Sequence, residues 1–205
     1  MDTLSETHYF QSPVYVVNKP EFLESVRTVS VRYQQMSDSL RVKPTTLMTP
    51  SYSHEEELKD FSEYVSQTAW NILASQGYFM DDNVTFFTEM WTQEHNQNSY
   101  METHVHGYGS QITAFYFIDA PENSCKFVIH DPRPGKVIVN LPEKDHSAIT
   151  MGSRQIVFTP QAGTLIFTNS WLPHSFTRSY SEEPMRFVHM NLSVAPSEAG
   201  KVEVI

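Results

Sequence analysis

The feature that most constrains this chain is a change of hydrophobic period at Gly77. Before it, Leu58, Phe61, Val65, Ala69 and Ile72 recur at steps of three and four, which paints one apolar stripe along a helix. The spacing predicts a helix over 55–75, opened by a Ser53/Glu56 capping box and ended at Gly77, which tolerates the left-handed backbone of a helix end. Phe22, Val26 and Val29 predict an earlier helix over 21–36, after an irregular lead-in of 20 residues, and 43–50 reads as loop. After Gly77 the period falls to two. Strands are expected over 84–95, 100–106, 111–118, 125–130, 155–159, 164–168, 174–180 and 185–194, with turns at 96–99, 121–124, 131–135, 160–163 and 181–184. Residues 136–153 read as a long insertion loop. A helical preface over 1–80 and a β core over 84–194 predict a mainly β fold with flanking helices, a jelly roll with the helices packed on one sheet. At 205 residues the chain suits one sizeable core, so a single domain over 1–205 is expected.

Composition narrows the partners. The net charge is −10, and the lysines and arginines form no cluster of the kind that displaces counterions from phosphates, which argues against nucleic acid as the main ligand. No apolar run approaches the roughly 18 residues of a membrane helix, and the first residues lack the basic and apolar regions of a signal peptide. Cys125 is the only cysteine, so no internal disulfide can form, and a reducing, cytoplasmic setting is expected.

Nine histidines are present. His8, His54, His95, His130, His146 and His189 are scattered and read as surface or hydrogen-bonded side chains. His104 and His106 differ, because residues i and i+2 of a strand project to the same side and two imidazoles can converge on one ion. Downstream, a turn at Pro160–Gly163, the apolar run Thr164–Phe167 and a loop through Pro173 deliver His174 to the start of the next strand. In a jelly roll that position can face His104 and His106 across the barrel mouth. Three imidazoles on one face of a metal leave positions open for substrate and O2.

Strand 185–194 supplies the other candidate group. Alternation puts Arg186 on the same face as Val188, Met190, Leu192 and Val194, and the apolar members suggest that this face is interior. A guanidinium there needs an anion. A bound dicarboxylate gripped through two hydrogen bonds satisfies it, and so does an internal salt bridge to an Asp or Glu; periodicity leaves both open.

Taken in order, His104-X-His106, the strand Thr113-Ala114-Phe115-Tyr116-Phe117, Asp131-Pro132-Arg133, the Gly163–Phe167 strand, His174, Arg186 and Asn191 resemble the 2-oxoglutarate/Fe(II)-dependent oxygenases. More narrowly, they resemble a bacterial and phage oxygenase family related to the prolyl-4-hydroxylase catalytic domain. The resemblance spans about 84–194 and implies a double-stranded β-helix. It implies Fe(II) on His104, His106 and His174, and 2-oxoglutarate as cosubstrate with its far carboxylate on Arg186. Thr113 or Tyr116 would add a hydroxyl to that carboxylate, and Asn191 would support the site by hydrogen bonding. The implied reaction hydroxylates an organic or peptidyl substrate with O2 and releases succinate and CO2. Three departures stand out. Most such oxygenases carry a carboxylate where His106 stands, so either three histidines bind the iron or Glu102 or Asp131 substitutes. Thr113-Ala114 stands in place of Ser-Gly, and Thr168-Asn169 in place of a proline after Phe167. Two other classes compete: a cupin working without 2-oxoglutarate, disfavoured because Ser110-Gln111-Ile112 replaces the expected glutamate, and a non-catalytic jelly-roll binding module.

Overall fold

The computed structural model describes residues 3–7, 9–37, 45–107, 109–139 and 141–197. Ten strands form two antiparallel sheets. The larger has the order β1 (Val14–Asn18), β8 (Thr164–Asn169), β5 (Ile112–Asp119), β10 (Met185–Pro196), β3 (Asn83–His95), β2 (Thr46–Met48). The smaller has the order β4 (Met101–His104), β9 (His174–Phe176), β6 (Phe127–His130), β7 (Gln155–Phe158). The helices are α1 (Leu23–Ser37), α2 (Lys59–Ser75) and the short α3 (Pro134–Ile138). No helix among the described residues is long and apolar enough to cross a membrane.

Two apolar layers result. One joins α1 and α2 to the outer face of the large sheet, through Val26, Phe61, Val65, Met90, Tyr116, Val188 and Leu192. The other lies between the sheets, through Phe115, Phe117, Phe127, Phe176 and Phe187. Strand β5 is apolar on both faces because it is central, with a helix layer on one side and the barrel interior on the other. Removing a ring such as Phe115 from the inner layer is a loss of about 3–5 kcal/mol.

The eight expected strands are all present, although β4 and β9 are shorter than the pattern suggested. Strands β1 and β2 were hidden in segments that read as lead-in and loop. Each is an edge strand of five and three residues, too short for alternation to register. The capping box is not used: a 3-10 turn, Glu56–Leu58, runs directly into α2, whose N-cap Leu58 makes no side-chain cap bond. Gly77 does end α2, at φ +89°, with its N–H on the Ala74 carbonyl at 3.0 Å. The expected insertion loop holds only α3 as regular structure.

Candidate metal centre

His104 is the last residue of β4 and lies opposite His174, the first residue of β9. His106 lies just past the strand, where its backbone N–H bonds the Ser170 carbonyl at 2.9 Å. The donor atoms of His104, His106 and His174 all lie within 4.8 Å of one another, and the ring centroids are 4.5–5.1 Å apart. The convergence expected of these three residues is therefore present in the fold.

Local hydrogen bonds settle which nitrogen each ring offers. Nδ1 of His104 is 2.7 Å from the Glu102 carbonyl, and Nδ1 of His174 is 3.0 Å from the Leu172 carbonyl. A carbonyl only accepts, so both Nδ1 atoms carry the proton and both Nε2 lone pairs turn inward. Nε2 of His174 is buried and has no hydrogen-bond partner among the described residues. An orphaned lone pair costs free energy unless something accepts it, and a small cation fits that need. Burial, reinforced by repulsion from His104, pushes the His106 imidazole down to about 4. Burial likewise pushes His174 down to about 3, against the helpful Leu172 carbonyl. Both rings are thus neutral donors at pH 7.

Neither alternative carboxylate belongs to this set. Asp131 is held by Arg133 at 2.9 Å and Lys136 at 3.0 Å, which depress its pKa strongly. Glu102 contributes its backbone carbonyl to His104, and its side chain is exposed. Among the described residues the set is three imidazoles with no carboxylate.

The inner face of the large sheet forms the floor. Thr113 Oγ1 lies 3.1 Å from Ser170 Oγ and 3.2 Å from Asn191 Oδ1, and Asn191 Nδ2 bonds Glu89 Oε2 at 3.1 Å. The sequence reading placed Thr113 and Asn191 near the site; both lie on the inner face of the large sheet, hydrogen-bonded to each other. It placed Arg186 and Tyr116 there too, and for these the structure requires a correction. Arg186 faces the helix side, where its Nε bonds Glu94 at 2.7 Å and its Nη1 bonds Asp119 at 3.2 Å. Its apolar companions Val188, Met190 and Leu192 pack under the helices, so the apolar face was the helix-covered one and not the barrel interior. Tyr116 is on that same side, with its ring 5.1 Å from Phe61 and its hydroxyl donating to the Lys19 carbonyl at 2.7 Å.

The residue that sequence reasoning passed over is His189. It is 2% exposed and stacked on Trp91 with centroids 4.2 Å apart, and its Nε2 lies 3.3 Å from Nε2 of His106. Among the described residues its Nδ1 has no partner, and neither has Trp91 Nε1. Burial holds His189 well below its ordinary pKa, so the ring is neutral and carries one proton. On Nδ1 that proton would be buried without an acceptor, at a cost of about 1–3 kcal/mol. On Nε2 it meets His106. The proton therefore sits on Nε2.

Residues 89–189 match the model of the family described as "Putative 2OG-Fe(II) oxygenase". The match covers just under half of the chain and marks that segment as similar to this oxygenase family. Members are 2-oxoglutarate- and Fe(II)-dependent enzymes, and the imidazole set of this oxygenase falls within the matched segment. Solved structures share its fold. A Pseudomonas putida prolyl-4-hydroxylase is 9% identical, with 89% of this chain and 92% of that one covered at a TM-score of 0.61. A viral collagen prolyl hydroxylase from Paramecium Bursaria Chlorella virus-1, solved as a 2-oxoglutarate complex, is 11% identical over 88% and 94% of the two chains, TM-score 0.58. HygX from Streptomyces hygroscopicus, solved with nickel and 2-oxoglutarate, is 12% identical over 91% and 84%, TM-score 0.54. No curated protein matches the oxygenase in sequence.

A cavity of about 520 Å3 has Leu172 and Ile129 in its walls, the residues hydrogen-bonded to and paired with His174, but none of the three imidazoles lines it. Arg133 and Arg154 also line it, as do Ile149, Thr150, Met151 and Ser153 of the 136–153 segment.

Proposed function

We propose that this oxygenase hydroxylates a C–H bond of an organic substrate, a peptidyl side chain in the first instance, with His104, His106 and His174 as its iron ligands. The stoichiometry is R–H + 2-oxoglutarate + O2 → R–OH + succinate + CO2, in which one oxygen atom enters the substrate and the other enters succinate. The observation that carries the reading is the convergence of three imidazoles, with the buried Nε2 of His174 left without a partner. The peptidyl preference draws support from the prolyl hydroxylases among the structures of the same fold.

Iron, when bound, supplies the redox chemistry that activates O2. The chain's own residues have simpler tasks. The Glu102 and Leu172 carbonyls fix the tautomers of His104 and His174. Thr113 and Asn191 offer a hydroxyl and an amide on the floor of the site. Phe115 and Phe127 stand edge-on or tilted against His174, with centroids 5.2 and 5.7 Å away, and keep water from the rear of the ring.

The test is Fe(II)-dependent formation of succinate from 2-oxoglutarate, followed by a screen of proline-containing peptides for a mass gain of one oxygen. Metal binding that is indifferent to 2-oxoglutarate would point to cupin-type chemistry instead, and absence of metal binding to a plain binding module.

A further inference from the structure

We infer that His189 is a cosubstrate-binding residue: its Nε2–H donates to the carboxylate oxygen that takes the coordination position beside His106. The inference rests on the proposed iron site and adds a contact to it.

Three observations carry it. First, the Nε2 atoms of His106 and His189 lie 3.3 Å apart, and the proton of that pair belongs to His189 because its Nδ1 is buried without an acceptor. The lone pair of His106 cannot serve both that proton and a metal ion. Once His106 is a ligand, the buried N–H of His189 needs a new acceptor, and the nearest candidate is the ligand adjoining His106 on the ion. Second, His189 cannot readily turn aside. It is stacked on Trp91, and Phe115 stands edge-on to it with centroids 4.9 Å apart. Third, the ten strands contain a single lysine or arginine, Arg186, and it faces the helices in ion pairs with Glu94 and Asp119. A carboxylate inside the barrel therefore meets no strand-borne cation, and the strands can offer it only neutral donors. A fully buried, preoriented N–H is such a donor.

The alternative, in which His189 is itself a fourth ligand, would move its proton to Nδ1, where none of the described residues offers an acceptor. The two are separable. The experiment loads the full chain with Fe(II) without O2 and titrates 2-oxoglutarate, following the absorption band of the chelate. Oxalate, which shares the chelating end and lacks the far carboxylate, is titrated in parallel by calorimetry. His189→Phe should weaken both anions by about tenfold and leave iron affinity unchanged, as expected for one lost hydrogen bond to a charged group. His189→Gln, which retains an N–H, should recover most of the loss. His189→Leu replaces the phenyl variant if the larger ring disturbs packing. Unchanged affinity for both anions in the variants without an N–H overturns the inference. A fall in iron affinity matching that of His174→Ala overturns it in favour of a fourth ligand. Retention of stoichiometric iron by His174→Ala would instead refute the iron site itself, a failure visible without any His189 variant.

Discussion

His104 and His174 face each other across the β4–β9 pair, and each turns its Nδ1 to the carbonyl two residues before it in its own chain. The same local device thus orients both rings from the two strands. Removing one ring takes away a donor whose partner and tautomer were already fixed. His174→Ala should lower iron affinity beyond the roughly 10–100-fold that follows loss of an outer partner of a ligand. Metal content after dialysis against a weak chelator checks this. Stoichiometric iron in the variant would contradict the assignment.

Arg186→Ala should change stability and leave 2-oxoglutarate affinity alone. The guanidinium joins β10 to Glu94 of β3 and Asp119 of β5. Those carboxylates keep other partners, Gln34 for Glu94 and Arg27 for Asp119, which limits the loss to about 1 kcal/mol. Urea denaturation and cosubstrate titration on the same preparation decide the matter. A large drop in cosubstrate affinity at unchanged stability would restore Arg186 to the site.

Stability of the metal-free protein should fall as pH drops from neutrality. Burial lowers the His95 imidazole from 6.5 to about 4, and the metal-free His106 behaves alike. The unfolded chain takes up these protons near pH 6.5, whereas the folded chain resists until about 4. Stabilisation is therefore complete above pH 6.5 and is lost progressively on acidification across that window. The measurement is unfolding free energy against pH. His95→Asn, which has no proton to take up, should flatten the slope.

Gly163→Ala should destabilise the fold by about 1–3 kcal/mol. Gly163 has φ +86°, and a Cβ there would stand 3.1 Å from Cα of Pro20 and 3.2 Å from Oδ1 of Asn18. Its carbonyl accepts from Lys19 N–H at 2.7 Å, so the clash falls where β1 is tied to the turn before β8. A thermal melt checks the prediction, and an unchanged midpoint would show that the turn can relax.

The core of the fold was legible because β3, β5, β8 and β10 are long or strongly apolar, and Gly77 marked the change of period. The convergence of three imidazoles was legible because His104-X-His106 and His174 sit at strand ends that a jelly roll brings together. Strand β10 was misread at one point, and its parity shows why. Arg186 and Asn191 are five residues apart and therefore belong to opposite faces, so both could not serve the site. Placing Asn191 inside also places His189 and Phe187 inside, which the alternation could have revealed. Two apolar faces compete on this strand, one under helices and one inside the barrel, and hydrophobicity alone does not tell them apart. The pairing of Arg186 with Glu94 and Asp119 depends on neighbouring strands, a register that no single segment encodes.

Three imidazoles bring no negative charge to the centre. A divalent ion held by them would keep both its positive charges, whereas a carboxylate in place of His106 would cancel one. A dianion such as 2-oxoglutarate would then be the counter-charge that the protein itself does not provide. Occupancy of the two would be mutually dependent: the ion is retained better once the dianion arrives, and the dianion finds little to hold it before the ion is there.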